Sequence, residues 1–354
     1  MDETGDQVAY VSRRTALRTL LLTAVGLLLA PSVPAAGLEK PNVTIAVGGK
    51  SSLYYLPLTL AERLGYFKKE GLDVEIADFA GGSKALQAMI GGSADVTAGG
   101  FDHTIVMLAK GQKVQGFVLM VATPAISVGV SKVRMPGFHS LKDLKGMKIG
   151  VTAPGSSTHM VVNRLLASAG LSPDDVSIIG AGSGPTAVAA MRSGQIDAIA
   201  NVEPVISMLE SAGAMTVVAE TMTEKGTRAI FGTPQLPAGC LYTKEEFIRR
   251  NPHTVQALTS AMVHALQWLA KASDEEIAQA VPPEYLMGDR RVYLAALRKS
   301  RDTYSKDGLI PPAGAQALYE ALRGFDAVVR DAPGLMVGQT YDTAFVRKAL
   351  ADSR

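Results

Sequence analysis

VTIAVGGKSSLYYLPLTLAERLGYFKKEGLDVEI (residues 43–76) decides the fold class. Val43, Ile45 and Val47 alternate as a half-buried strand does, and Leu56, Leu60 and Leu64 recur at helical spacing until Gly65 stops the helix. Val74 and Ile76 resume the strand period. The order is therefore strand, polar loop, helix, turn, strand. In an open α/β sheet, ligands lie beyond the carboxyl ends of the strands, against helix N-termini. This places the first candidate contacts in the loop from Lys50 to Tyr55, at Ser51, Ser52, Tyr54 and Tyr55.

Working outward, the alternation continues. Helical spacing covers Ser83 to Ile90 and Ile105 to Ala109, with strands at Val96–Ala98 and Val114–Val121. The stretch Thr123 to Val130 is extended and poor in helix formers. The pattern then restarts with a capping box at Ser140–Asp143, a strand at Lys148–Thr152 and a helix from His159 to Ala169. Ser172-Pro173-Asp174-Asp175 reads as another capped helix start. A strand at Ile178–Ile179, a helix at Thr186–Arg192 and strands at Ala198–Ala200 and Thr216–Ala219 complete this part. A second extended passage, Gly232 to Leu241, precedes a helical third that opens with Thr243-Lys244-Glu245-Glu246 read as a helix cap and includes a long amphipathic run from Pro252 to Lys271.

Two α/β units separated by two extended crossings predict a two-lobed α/β protein with a two-strand hinge and a ligand in the cleft between lobes. One lobe comprises residues 36–125 and 241–354, and the inserted lobe residues 126–240. The helical third has no sheet of its own to cover, which argues against two independent consecutive domains.

The phrases "PLTLAERLGYFKKEGLDVEI", "GGSKALQAMIGGSADVTAGG", "SLKDLKGMKIGVTAPGSSTHMVVNRLLASAGL", "AVAAMRSGQIDAIANVEP" and "KDGLIPPAGAQAL" stand in this order along the chain. Together they resemble the extracytoplasmic solute-binding proteins of ABC importers for nitrate, sulfonates, taurine and thiamine precursors, the NMT1/THI5-like family. The resemblance implies a periplasmic binding protein fold of type II, no catalysis, no cofactor and an inner-membrane permease as partner; a monomer is expected.

Composition agrees with a folded protein with a sizeable core: 354 residues, 47% hydrophobic and 19% charged. Lys+Arg of 35 against Asp+Glu of 33 leaves +2, too little basic excess for a nucleic-acid surface. Residues 1–35 read as an export signal: Ser12-Arg13-Arg14-Thr15-Ala16-Leu17-Arg18 matches a twin-arginine motif except at Ala16, which leaves Sec export open. The apolar run from Thr19 to Ala30 is short for a membrane span, and Val33-Pro34-Ala35 offers cleavage before Ala36. With no lipobox at the N-terminus, the expected product is a free periplasmic protein. Cys240 is the sole cysteine, read as a buried strand residue, and the five histidines show no metal-ligand spacing.

The remaining candidates sit at strand-to-helix turns. Gly82 and Ser83 open one helix; Ser156, Ser157 and Thr158 open another, where hydroxyls and backbone N–H groups suit a carboxylate, sulfonate or nitrate. Phe101 follows the strand ending near Gly100, and Thr123 begins the first crossing. Asp102 and Glu203 have two readings: pocket acids that favour an amine or pyrimidine, or helix caps, which their positions favour. No arginine falls in these loops, so an anion would be held mainly by neutral donors.

The sequence thus points to capture of a small organic anion, a sulfonate or carboxylate. The alternatives are a thiamine-type pyrimidine precursor as ligand, or a closed form that feeds a sensor instead of a permease. A pyrimidine synthase of the same fold is disfavoured, because the resemblance implies that such enzymes need a cysteine-rich motif and a pyridoxal cofactor.

Overall fold

The computed structural model describes residues 37–353 except Pro333. The export-signal reading concerns residues 1–35, which lie outside those described.

Each apolar alternation has become a strand in one of two five-stranded sheets. The first holds β1 (Asn42–Val47), β2 (Asp73–Asp78), β3 (Val96–Gly100) and β4 (Val114–Leu119). The second holds β5 (Ser127–Ser131), β6 (Lys148–Val151), β7 (Ser177–Gly180), β8 (Ala198–Asn201) and β9 (Met215–Glu220). The last strand, β10 (Gly239–Lys244), returns to the first sheet and inserts between β3 and β4. The orders are β2-β1-β3-β10-β4 and β7-β6-β8-β5-β9. In each, one strand (β1 or β6) runs parallel to both neighbours, and another (β10 or β5) runs antiparallel to both of its own. Both sheets therefore reverse direction of winding beside β1 and β6, and the carboxyl ends there are where ligands sit in open α/β sheets.

The core follows the strand pleat. Ile45, Val47, Val96 and Ala98 are buried on the first sheet, as are Ile149, Val151, Ala198 and Ala200 on the second. The Leu56–Arg63 helix buries Leu58 and Leu60 in the core, with Pro57 in its first turn where a missing N–H costs nothing. Gly65 ends it at φ +73°, the left-handed conformation that glycine adopts without a Cβ penalty. The 20-residue helix Pro252–Lys271 packs on this helix and on β4, which accounts for the helical character of the last third. Among the described residues no helix is long and apolar enough to cross a membrane.

Several local expectations give way to tertiary structure. Ser172–Asp175 forms a capping box around a single turn, Pro173–Asp175, because the residues beyond it pair as β7. Thr243 does not cap a helix: it is buried on β10 and its hydroxyl donates to Asp95 O at 2.6 Å. Helices at Val205–Ser211, Glu224–Phe231 and Asp274–Ala280 add to those the spacing revealed.

The Pro252–Lys271 helix is capped from afar. Asn251 at its N-cap makes no side-chain bond; instead Glu39 accepts from the His253 N–H at 3.2 Å and the Thr254 N–H at 3.0 Å. Burial works against the Glu39 charge, but these bonds and one from its own backbone outweigh it and hold the carboxyl at about 2. A carboxyl depressed on folding stabilises the fold fully above its unfolded pKa and loses that contribution as pH falls through the folded value. Glu39→Ala should cost about 1 kcal/mol at neutral pH, as lost helix caps do. The difference from wild type in urea titrations should shrink between pH 4.5 and pH 2.

Candidate ligand-binding site

The carboxyl ends of the two sheets face each other, and a cavity of about 30 Å³ lies between them. Gly48 follows β1, Gly100 ends β3, Thr152 follows β6 and Val202 follows β8; all four line it. The helix starts add Gly82 and Ser156–Thr158, the first loop adds Tyr54 and Tyr55, and Ile126 enters from the passage before β5. The strand-end residues and Ile126 escaped the sequence reading. The rule that ligands sit at strand carboxyl ends marks Gly48, Gly100, Thr152 and Val202 once strand boundaries are known.

The first loop is pinned by Asp78, whose Oδ1 accepts from the Gly49 and Lys50 N–H groups at 3.0 and 2.8 Å. Lys50 turns away to pair with Glu62 at 3.1 Å. The next residues wind into a tight turn, Leu53–Tyr55, that buries both tyrosines edge to face with ring centroids 5.0 Å apart. The Tyr54 hydroxyl and the Ser52 hydroxyl are buried with no partner; Ser51 is half-buried. Burial, reinforced by Tyr55 and Asp102, pushes the Tyr54 phenol well above its ordinary value, so it remains a neutral donor.

Two helix N-termini meet across the gap. The Gly82–Gly91 helix begins on the first sheet and the Ser157–Ser168 helix on the second. The Ser83 N–H donates to Ser156 Oγ at 3.0 Å, and the Ser83 hydroxyl donates to Pro154 O at 2.8 Å. Thr158 Oγ1 turns inward to accept from the Thr152 N–H at 3.0 Å. Glycine is required for this approach: a Cβ on Gly81 would stand 2.8 Å from Ala153 Cβ and 2.9 Å from the carbonyl carbon of Thr152.

Asp102 is not a helix cap. It begins the Asp102–Ala109 helix, is 4% exposed, and its Oδ1 accepts from the Ser157 hydroxyl at 2.6 Å across the gap. Its other oxygen lies 4.0 Å from His103 Nε2, a buried atom with no partner. His103 Nδ1 is 2.9 Å from the Tyr242 hydroxyl. His103, which the sequence gives no reason to single out, is thus a buried residue between Asp102 and Tyr242.

Three candidates lie elsewhere. Phe101 is a core residue, 6.1 Å from the Tyr341 ring. Glu203 caps the Val205–Ser211 helix, accepting from the Ser207 N–H and hydroxyl, each at 2.9 Å. Burial pushes its carboxyl up, against the pull of Ser207 and of Lys299, 3.9 Å away. Its carbonyl accepts from the Leu53 N–H at 2.9 Å, so its main chain ties the two sheets together. Thr123 lines a separate groove. Cys240 is fully buried, its thiol pushed well up by burial and then by Asp102. No group of His, Cys, Asp and Glu among the described residues could hold a metal ion.

Residues 52–276 match the family model described as NMT1/THI5 like. The chain belongs to the NMT1/THI5-like family. A protein of solved structure from Bordetella bronchiseptica RB50 is 54% identical and superposes with a TM-score of 0.88, covering 90% of this chain and 99% of that one. YtlA of Bacillus subtilis (strain 168), whose name proposes a binding role, is 26% identical over 264 residues, 73% of this chain and 76% of its own. The alkanesulfonate-binding protein SsuA from Xanthomonas axonopodis pv. citri, solved with MOPS bound, shares 20% identity at a TM-score of 0.67, over 87% of this chain and 100% of that one. At that identity the likeness concerns fold, which is the periplasmic binding protein fold. This NMT1/THI5-like chain thus has the periplasmic binding protein fold, with its cavity where the two sheets meet.

Gly81 has an extended backbone (φ −174°) that any residue adopts, so Gly81→Ala tests the approach of the loops alone. The variant should lose about 1–3 kcal/mol, as overpacked buried positions do, and still fold. Small-angle scattering should give it the larger radius of gyration; an equal radius would mean the Gly81–Ala153 contact yields without separating the sheets.

Proposed function

We propose that this protein is the exported solute-binding component of an ABC importer. Residues 36–125 with 241–354, and residues 126–240, act as lobes that close on a small organic ligand and present the closed form to a permease. The candidate contacts are Tyr54, Tyr55, Gly82, Ser156, Ser157 and Thr158, with Ser52, Ser83 and Asp102 at the edge. Closure requires that the ligand hold the closed arrangement more tightly than the open one, and polar contacts divided between the two sheets supply that difference.

One observation carries the ligand class: the buried Asp102 carboxylate stands beside a cavity that, among the described residues, no lysine or arginine lines. An anion roughly 5 Å from that carboxylate would be repelled by about 3 kcal/mol at an effective dielectric of about 20. Each helix N-terminus returns about 0.3–1 kcal/mol, up to about 2 when partly buried, and Asp102 already draws on one of them. The balance favours a ligand that donates hydrogen bonds, an amine or an amino-substituted heterocycle such as a pyrimidine, over the sulfonate or carboxylate that the serine-rich helix starts bring to mind. The anion remains the second reading, supported by the meeting of two N-termini at Ser83 and Ser156.

A thermal-shift screen of the purified protein against small amines, aminopyrimidines, sulfonates and carboxylates separates the two. At a hundred times the dissociation constant a true ligand adds about 2.7 kcal/mol of stability. Asp102→Asn should weaken a donor ligand by about tenfold or more, the loss of a charge-assisted hydrogen bond. For an anion the same change should strengthen binding, and that outcome would transfer the site to the second reading.

A further inference from the structure

A larger groove lies apart from the cavity, against both passages of chain that link the sheets. Its volume is about 970 Å³, within the upper range of small-molecule sites. Ala122 and Thr123 come from the passage between β4 and β5, and Gln235 from the passage between β9 and β10. Met222 to Glu224 form one wall, while Leu119, Leu266, Leu269 and Ile310, all buried, give it an apolar floor.

Its charged groups are mostly committed. Lys299 pairs with Glu210 at 2.9 Å, and Arg301 with Asp274 at 2.8 Å. Glu224 accepts from the Gln235 side chain at 3.0 Å, and Asp307 from the Leu309 N–H at 2.9 Å. Among the described residues the exposed Lys306 and Arg347 have no acidic partner, and of the lining acids Asp302 alone stands uncommitted. Thr123 is 5% exposed and its hydroxyl has no partner. A buried hydroxyl without a hydrogen bond is costly, and a polar group of a ligand would satisfy it.

We propose that this groove is a second ligand site, taking a small amphipathic anion: an apolar body over the Leu266–Leu269–Ile310 floor and a carboxylate or sulfonate head between Lys306 and Arg347. The reading is independent of what occupies the cavity between the sheet ends, and a groove occupant touches both linking passages at once.

Anilinonaphthalene sulfonate, which has this chemistry and reports burial by fluorescence, is the probe, with octanoate as competitor. Wild type should bind it saturably at one site and release it to octanoate. The double change Lys306→Glu with Arg347→Glu should weaken binding by about tenfold, from reversal of two charges near the head. Ala270→Trp, at an exposed position on the groove wall, should fill the space and weaken binding comparably. Both variants alter exposed positions, and unchanged thermal unfolding checks that they fold. The inference fails if wild type does not bind the probe saturably, or if both groove variants bind it as wild type does.

Discussion

Two helix N-termini, three serine hydroxyls and a carboxylate meet where the ends of the two sheets face each other, and none of them can be buried alone. An unpaired buried hydroxyl or N–H costs roughly 1–3 kcal/mol, and an unpaired charge more. Ser83, Ser156, Ser157 and Asp102 therefore complete one another across the gap, and each of these bonds has one partner from each sheet's segment of chain. Glycine at 81 lets the backbones approach closely enough across the gap for the bonds to form.

Much of the fold was legible in the sequence because its signals are local. Period-two alternation in Val43–Val47, helical spacing in Leu56–Leu64 and the glycine stop at 65 need no distant partner to be read. What escaped was decided by partners far along the chain. Ser172–Asp175 carries a helix-start signature, yet one turn later the chain is taken up by β6. Thr243 looked like a cap and became a buried strand residue bonded to Asp95, 148 positions away. Neither outcome has a local signal.

The candidate site divides in the same way. Tyr54, Tyr55, Gly82 and Ser156–Thr158 follow from strand-to-helix junctions, and the structure brings them around one cavity. Asp102 and Glu203 are both acids beside a helix start, alike in sequence. Only tertiary placement separates them: Glu203 folds back on Ser207, while Asp102 crosses to Ser157. His103 could not be recognised from sequence, since a histidine inside an apolar helix reads as core until Tyr242 is placed against it.

The position of β10 in the first sheet has a consequence for the order of assembly. The second sheet is built from one continuous segment, β5 to β9, and can complete its pairing as soon as that segment exists. The first sheet cannot: β3 and β4 do not pair with each other, and the strand that joins them lies beyond the whole second sheet. Bridging so long a loop costs entropy that only the finished β3-β10-β4 ladder repays. The topology thus lets the inserted segment complete its sheet independently, whereas the outer sheet can close only once β10 is in place between β3 and β4.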